Sequence, residues 1–145
     1  MKIKKCSLDD ILDLQKIYRQ TFFETFSEQN SEENMRIFLD KAYSEEKLKS
    51  EIEDKESETF IAVENQKILG VLKINTGNAE TESGLENSLE IQRIYILKES
   101  KGLGIGTVFM NLAEKKAREL GVSFIWLGVW EKNFPAQKFY TDKGF

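Results

Sequence analysis

The chain has 145 residues, 40% of them hydrophobic and 32% charged, with a formal net charge of −4; this is the composition of an ordinary globular protein, and we expect one domain, residues 1–145. The absence of histidine and the presence of one cysteine, Cys6, exclude an internal disulfide, a His/Cys metal site and catalysis by imidazole. The acidic balance and the lack of a basic stripe argue against binding to nucleic acid.

The first predicted elements are a short strand at residues 2–6 and a long helix. The basic start, MKIKK, lacks the apolar core of a signal peptide, and no apolar run in the sequence is long enough to span a bilayer. We therefore expect a cytoplasmic protein with no membrane contact. A helix-capping pattern, SLDD at residues 7–10, precedes the helix. Apolar residues then recur at helical spacing, namely Leu8, Ile11, Leu14, Tyr18 and Phe22.

Two further helices and a hairpin are predicted in the middle of the chain. Ser31 and Ser44 suit the N-cap positions of helices at residues 31–42 and 44–54. Residues 59–65 and 68–76 are rich in strand-forming residues, and Asn65-Gln66-Lys67 between them favours a β-hairpin. A polar loop follows at residues 77–87.

The last third of the chain alternates between strands and helices, which indicates an α/β fold. Residues 89–97 are predicted as a strand, and residues 104–120 as a helix that ends at Gly121. Residues 124–130 are almost all apolar, as expected for a strand covered on both faces. Pro135 suits the first turn of a final helix. The core-facing residues of the 104–120 helix are expected to be Val108, Phe109, Leu112, Ala113 and Leu120.

The glycine-rich turn after the 89–97 strand has the features of a pyrophosphate site. Its glycines allow backbone amides to approach an anion, and the helix that follows adds the positive end of its dipole. A P-loop is excluded because Thr107 stands where its second glycine is required, and the dinucleotide fingerprint fails at Phe109. The pattern that remains is Gln/Arg-x-x-Gly-x-Gly/Ala, with Lys101 in the first place and Gly104 and Gly106 as its glycines.

A second motif lies near the end of the sequence, where Asn133, Ala136, Tyr140 and the pair Gly144-Phe145 follow the apolar 124–130 segment. In this order and separation, the two motifs resemble those of the GNAT superfamily of N-acetyltransferases. The segments TFFETF at 21–26, QRIY at 92–95 and WLGVWE at 126–131 are similar to the PaiA-type polyamine acetyltransferases. The resemblance implies a mixed central sheet flanked by helices, with splayed fourth and fifth strands.

The resemblance also implies an acetyl-CoA site and no metal cofactor. Main-chain groups at the end of the fourth strand would bind the acetyl carbonyl and the pantetheine arm, and Asn133 would bind that arm as well. Lys98 would add positive charge near the phosphates. The strand residues concerned are Ile94, Tyr95 and Ile96, and the pyrophosphate-binding residues are Lys101, Gly102, Leu103, Gly104, Ile105, Gly106 and Thr107. Each of these residues could instead have only an ordinary structural role.

The resemblance makes Tyr140 the expected general acid, close to the coenzyme sulfur and protonated at neutral pH because its ordinary pKa is about 10. The general base is left open between Glu90, for which enclosure between strands would raise the pKa, Glu131, and a water relay. Gln92 shares a face with Glu90 but cannot titrate. Cys6 lies far from both motifs, so we expect direct transfer in a ternary complex without an acetyl-cysteine intermediate.

The same resemblance implies that the acceptor is a polyamine such as spermidine or spermine, and that the helical block lies beside the acceptor cleft. An aromatic wall with carboxylates suits methylene chains and ammonium groups, and acidic residues at 45–58 and 80–90 would attract a cation. The wall and carboxylates are Phe22, Phe23, Glu24, Phe26 and Glu131. A protein N-terminus, an amino acid, an aminoglycoside or another small amine remains an alternative acceptor. A non-catalytic acyl-CoA-binding regulatory module is the alternative from another class.

Family members usually continue past the Gly-Phe pair into a strand that pairs beside the fifth. This sequence stops at Phe145, so the final strand is expected to be missing, and the exposed strand edge would be left open to pairing. A truncated chain, a disordered tail or exchange with another subunit would each account for this. A homodimer is possible on the resemblance alone.

Overall fold

A computed structural model describes residues 1–28, 30–82, 84–128 and 144. The strands are β1 (Lys2–Lys5), β2 (Ser57–Glu64), β3 (Lys67–Thr76), β4 (Ser88–Ile96) and β5 (Phe124–Leu127). The helices are α1 (Ile11–Phe26), α2 (Glu32–Ala42), α3 (Glu45–Glu53) and α4 (Ile105–Leu120), with short 3-10 helices at Leu8–Asp10, Gly77–Ala79 and Lys98–Ser100. The predicted final helix with Pro135, and the last two residues of the predicted fifth strand, lie outside the described residues.

Within the described residues, the five strands form one mixed sheet in the order β1-β2-β3-β4-β5. The first three pairings are antiparallel and the β4–β5 pairing is parallel. The predicted α/β fold with a mixed sheet and flanking helices is therefore confirmed. The parallel pairing runs from Ser88 opposite Phe124 to Ile91 opposite Leu127, whereas β4 itself continues to Ile96. In the described part of the chain, the second half of β4 thus has a strand partner only on its β3 side.

Two apolar cores lie on opposite faces of the sheet. One joins α4 to β3 and β4 and includes Phe109 and Met110, both almost inaccessible to solvent. The other joins α1, α2 and α3 to the opposite face and includes Tyr18 and Leu48. The sheet is therefore covered on both faces, and polar side chains that point from its central strands must find partners inside the protein.

The predicted turns and caps are confirmed by their geometry. Asn65 and Gln66, with φ values of 51° and 66°, form the two-residue connection between β2 and β3, as a type I′ hairpin requires. The side chains of Ser31 and Ser44 accept hydrogen bonds from Asn34 N at 3.1 Å and Lys47 N at 3.2 Å. The SLDD segment forms a capping box, although it begins a short 3-10 helix before α1 rather than α1 itself.

Two predictions about burial are wrong. Leu120 is 59% exposed because α4 ends there in a Schellman motif, and Val122 packs against the core after the turn. In this motif Gly121, at φ 70°, donates to Arg118 O, and Val122 donates to Ala117 O. The described part of the fifth strand is not covered on both faces, since Phe124 is exposed and the rest of β5 is half-buried. No helix in the described ranges has the length and hydropathy needed to cross a bilayer.

Candidate active site

The turn between β4 and α4 exposes backbone amides at the start of a long helix. Gly102 and Gly104 have φ values of 87° and 83°, a conformation that side chains with a Cβ rarely adopt. A Cβ at either position would meet no atom within 4 Å, so the backbone conformation and not packing requires glycine. Val108 N donates to Gly104 O at 3.1 Å, and the amides that precede it in the first turn have no acceptor within the helix. This helix start can therefore bind an anion.

The other residues of the predicted coenzyme turn lie at the same corner. Ile105 and Gly106 are buried and hold the helix start against the sheet, so they can offer only main-chain groups to a ligand. Leu103 is 64% exposed, Lys101 is also exposed and Thr107 is half-buried. The structure thus brings residues 101–107 together around one helix N-terminus.

The predicted acetyl-binding residues lie in the part of β4 that continues past Leu127. Ile94 and Ile96 pack on the α4 side of the sheet. Tyr95 packs on the α1 side, with its ring edge-on to Tyr18 at a centroid distance of 6.0 Å. On the neighbouring strand, glycine at position 70 lets β3 lie close to both β4 and α4, because a Cβ there would lie 2.9 Å from Tyr95 O on β4 and 3.2 Å from the Phe109 ring on α4.

Glu90, the predicted base, is 3% exposed and hydrogen-bonded at both carboxylate oxygens. Its Oε1 accepts from Asn75 Nδ2 at 2.9 Å and from Thr81 N at 2.8 Å. Its Oε2 accepts from Thr81 Oγ1. An acceptor amine therefore cannot reach the carboxylate without an intermediate group.

Lys73 lies beside Glu90 on the same face of the sheet and is also 3% exposed. Its Nζ donates to Asn75 Oδ1 and Gln92 Oε1, each at 2.6 Å, and to Ser57 Oγ at 3.4 Å. Burial lowers the pKa of Lys73 to about 8; the charge of Arg93 acts in the same direction, whereas Glu51, Glu90 and Asp54 oppose it. Lys73 was not predicted from the sequence as a site residue. Alternation of polar and apolar residues in β3 was the available signal, but it is equally typical of a strand facing solvent.

A β-bulge places Gln92 and Arg93 on the same face of β4. Arg93 pairs with Lys73 and Ile91 pairs with Ile74, so Gln92 is the extra residue. Its amide accepts from both Lys73 and Asn75, which confirms that Gln92 shares the face of Glu90.

Arg93 fixes the bulge to the helical layer. It donates to both carboxylate oxygens of Glu51 on α3, at 2.7 and 2.8 Å, and its guanidinium lies over the rings of Tyr18 and Tyr43 at 4.9 and 5.1 Å. Burial acts to lower the pKa of Arg93, but the hydrogen bonds and charge of Glu51 raise it overall, so the group stays protonated. Burial raises the pKa of both tyrosines, which stay neutral. Arg93 and Glu51 thus form a largely buried ion pair with a bidentate geometry.

An aromatic surface lies where α1 meets α2. Phe22 packs on Phe26 and Phe38 at centroid distances of 4.5 and 4.8 Å, and Phe23 is 54% exposed. The carboxylate of Glu24 accepts a hydrogen bond of 2.9 Å from Lys98 N, which links α1 to the segment before the predicted coenzyme turn. Phe38 was not singled out from the sequence, because its contact with Phe22 depends on how the two helices pack.

Cys6 and three predicted site residues near the end of the sequence remain to be placed. Cys6 is buried directly after β1, where burial and the charge of Asp10 raise its pKa to about 12, so its thiol is not a ready nucleophile. Among the described residues, no group of acidic or cysteine side chains could hold a metal ion. Three predicted site residues, Tyr140, Asn133 and Glu131, lie outside the described residues.

Comparison with known proteins extends these observations. The model of the acetyltransferase (GNAT) family matches residues 11–145. An N-acetyltransferase of uncharacterized function from the pepI 3′ region of Lactobacillus delbrueckii subsp. lactis is 38% identical over 144 residues, which cover 99% of this chain and 83% of that protein.

Two further matches come from Thermoplasma acidophilum. Its spermidine N(1)-acetyltransferase is 26% identical over 149 residues, covering 100% of this chain and 88% of the relative. The crystal structure of a PaiA N-acetyltransferase from the same organism, in complex with coenzyme A, has a TM-score of 0.86 at 25% identity. It covers 99% of this chain and 88% of that one.

Proposed function

Because the chain belongs to the acetyltransferase (GNAT) family and is an acetyl-CoA-dependent N-acetyltransferase, we propose that it acetylates a primary amine of a polyamine such as spermidine or spermine. The observation that carries this proposal is the full-length similarity to a spermidine acetyltransferase, combined with a closely similar fold. The PaiA-type assignment is part of the same proposal. The cytoplasmic location, the single domain and the homodimer stay predictions.

The proposed coenzyme site is the corner between β4 and α4. Backbone amides of residues 101–107 bind the pyrophosphate at the helix start, and the exposed Lys101 supplies charge. Main-chain groups of Ile94 to Ile96, on the β4 edge away from β3, bind the pantetheine arm and the acetyl carbonyl. Donors held in a strand are already oriented, so they stabilise the developing oxyanion without reorganisation. Asn133 is proposed to bind the same arm.

In the proposed reaction, the neutral amine attacks the thioester carbonyl, a C–N bond forms and the C–S bond breaks. Glu90 is proposed to receive the proton that the substrate ammonium loses before the attack. Tyr140 is proposed to protonate the departing thiolate, and the proton that the nitrogen loses when the amide forms returns to Tyr140. The burial of Glu90 and its hydrogen bond with the exposed Thr81 support transfer of the ammonium proton through an intermediate group. Glu131 is the alternative base.

The proposed acceptor surface is the aromatic cluster of Phe22, Phe23 and Phe26 with Phe38. The exposed faces of the rings suit the methylene stretches of a polyamine, and cation–π attraction suits its ammonium groups. Glu24 is close to this surface and joins it to the coenzyme corner through Lys98 N. Glu131 is proposed to face the same substrate.

Two measurements test the proposed function. Calorimetry with acetyl-CoA measures coenzyme binding, and release of free thiol measures transfer to spermidine, spermine, an amino acid, an aminoglycoside and a peptide N-terminus. We expect binding of acetyl-CoA and the highest kcat/KM with a polyamine. A higher kcat/KM with another amine would identify that amine, and not a polyamine, as the acceptor. Binding of acetyl-CoA without transfer to any amine would indicate a non-catalytic coenzyme-binding module.

Variants at the proposed acid and base test the mechanism. Glu90→Gln and Tyr140→Phe should each lower kcat by about 10²-fold or more while retaining acetyl-CoA binding. Glu131→Gln tests the alternative base. Of Glu90 and Glu131, only the residue that receives the proton should show this loss of kcat when it is replaced by glutamine. Unchanged kcat in both Glu90→Gln and Tyr140→Phe would contradict the assignments.

A further inference from the structure

Thr81 lies between the buried Glu90 carboxylate and the solvent. Thr81 is exposed, whereas Glu90 is 3% exposed. Its hydroxyl donates to Glu90 Oε2 and its backbone N–H donates to Glu90 Oε1 at 2.8 Å. Glu90 Oε1 accepts a second hydrogen bond, from Asn75 Nδ2. Among the described residues, the donor to Oε2 is the Thr81 hydroxyl.

The loop that carries Thr81 is held against the junction of β4 and β5. Glu80 accepts hydrogen bonds from Trp126 Nε1 on β5 at 2.9 Å and from Ser88 Oγ on β4 at 2.7 Å. Trp126 pairs directly with Glu90 across the two strands. The Thr81 hydroxyl is therefore held at Glu90, one residue before the end of the described β4–β5 pairing. That pairing ends at Ile91 and Leu127.

We propose that Thr81 is a catalytic residue that carries a proton from the acceptor amine to Glu90. The proposal rests on the proposed function, because it uses Glu90 as the base. The Thr81 oxygen accepts a proton from the substrate ammonium while its own hydroxyl proton moves to Glu90 Oε2. The products are a neutral amine, an unchanged threonine and a protonated glutamic acid, so charge and protons balance. After transfer, the proton returns to solvent by the same route.

The chemistry of a hydroxyl suits this relay. A hydroxyl has one proton to donate and lone pairs to accept another, so it can do both in one step. Thr81 is exposed, and within the described residues no side chain donates a hydrogen bond to its Oγ1. Lys73 Nζ donates to Asn75 Oδ1 and Asn75 Nδ2 donates to Glu90 Oε1, so a single side chain links Lys73 to the carboxylate.

The test uses Thr81→Val, which removes the hydroxyl but keeps the side-chain shape and the backbone N–H bond to Glu90. We expect kcat/KM for the amine to fall at least about tenfold, as for loss of a group in general base catalysis. The affinity for acetyl-CoA should not change. Thr81→Ser, which restores a hydroxyl, should recover most of the lost kcat/KM. Thr76→Val is the matched control, because the Thr76 hydroxyl donates to Glu56 O and not to Glu90.

A double variant separates the relay from a structural effect. If Thr81 and Glu90 act as one unit, Thr81→Val combined with Glu90→Gln should be no slower than Glu90→Gln alone. The proposal would be overturned if the rate losses of the two single variants multiplied in the double variant. It would also be overturned if Thr81→Val were as fast as wild type. All variants are assayed with the amine that the wild type acetylates fastest, so a wrong acceptor assignment is seen in the wild type and does not affect this comparison.

Discussion

Lys73 Nζ donates a hydrogen bond of 2.6 Å to Gln92 Oε1, and this contact determines the orientation of the Gln92 amide. A protonated lysine can only donate, so the amide oxygen must face it. Asn75 Nδ2 donates to the same oxygen at 2.8 Å. The Gln92 NH₂ group is therefore not used inside this network, and it lies on the segment of β4 that continues past Leu127.

The pH dependence of stability provides a test of the buried lysine. The pKa of Lys73 is about 8 in the folded protein and 10.5 ordinarily, so between these values the unfolded chain binds more protons. The contribution of Lys73 to the free energy of unfolding should therefore rise with pH from 8 to 10.5.

Lys73→Met should lack this rise, and denaturant unfolding of both proteins across the range measures the difference. The variant is expected to fold, because the two acceptors that Lys73 leaves each retain another donor. Asn75 Oδ1 still accepts from the Ser57 hydroxyl, and Gln92 Oε1 still accepts from Asn75 Nδ2. The exposed Lys115→Met controls for loss of a positive charge. Parallel stability curves for wild type and Lys73→Met would show that burial does not shift the titration.

Gly104→Ala should weaken coenzyme binding. The residue has a φ of 83°, so a Cβ costs about 1–2 kcal/mol or forces the turn to change. We expect a lower free energy of unfolding and a higher Kd for acetyl-CoA by calorimetry.

Gly121→Ala is the matched control for Gly104→Ala in the proposed coenzyme turn. Gly121 has a φ of 70° at the other end of α4, and a Cβ there also meets no atom within 4 Å. This variant should lose similar stability without a change in coenzyme affinity. Equal Kd values for both variants would place the coenzyme away from the β4–α4 corner.

Glu51→Gln should be strongly destabilising because it leaves the buried Arg93 guanidinium without its counter-charge. Breaking one partner of a buried pair costs about 3–5 kcal/mol. Asp40→Asn, which breaks the exposed pair with Arg19 at 2.7 Å, should cost no more than about 1 kcal/mol. Chemical denaturation measures both values, and a similar small loss in the two variants would mean that the Arg93 pair is well solvated.

Gly70→Ala should destabilise the sheet through a steric conflict. Its Cβ would lie 2.9 Å from Tyr95 O and 3.2 Å from the Phe109 ring, in a region where neither the backbone nor the ring can move freely. We expect a loss of about 1–3 kcal/mol, typical of overpacking. Gly128→Ala meets no atom within 4 Å and is the control. Equal thermal midpoints for the two variants would contradict the close approach of β3 and β4.

Local sequence signals determined the elements of this protein. The serine caps, the hairpin at Asn65-Gln66-Lys67 and the helix end at Gly121 each depend on contacts within a few residues, so they could be predicted from the sequence. The structure confirms them, with Asn65 and Gln66 as the two connecting residues. The glycine turn was recognised for the same reason, since Gly102 and Gly104 are required by local backbone geometry. Together with the motif order, these signals were sufficient to predict the family.

Only the tertiary structure decided which polar groups meet. Lys73, Asn75, Thr81 and Glu90 come from two strands and a loop, and their contacts depend on strand register and on the bulge at Gln92. A polar residue in a strand has the same sequence pattern whether it faces water or a buried partner, because alternation specifies a face and not what covers it. Helix packing likewise brought Phe38 to Phe22. The sequence alone therefore determined the fold and the glycine-rich turn between β4 and α4, whereas the surroundings of the proposed base required long-range contacts between elements.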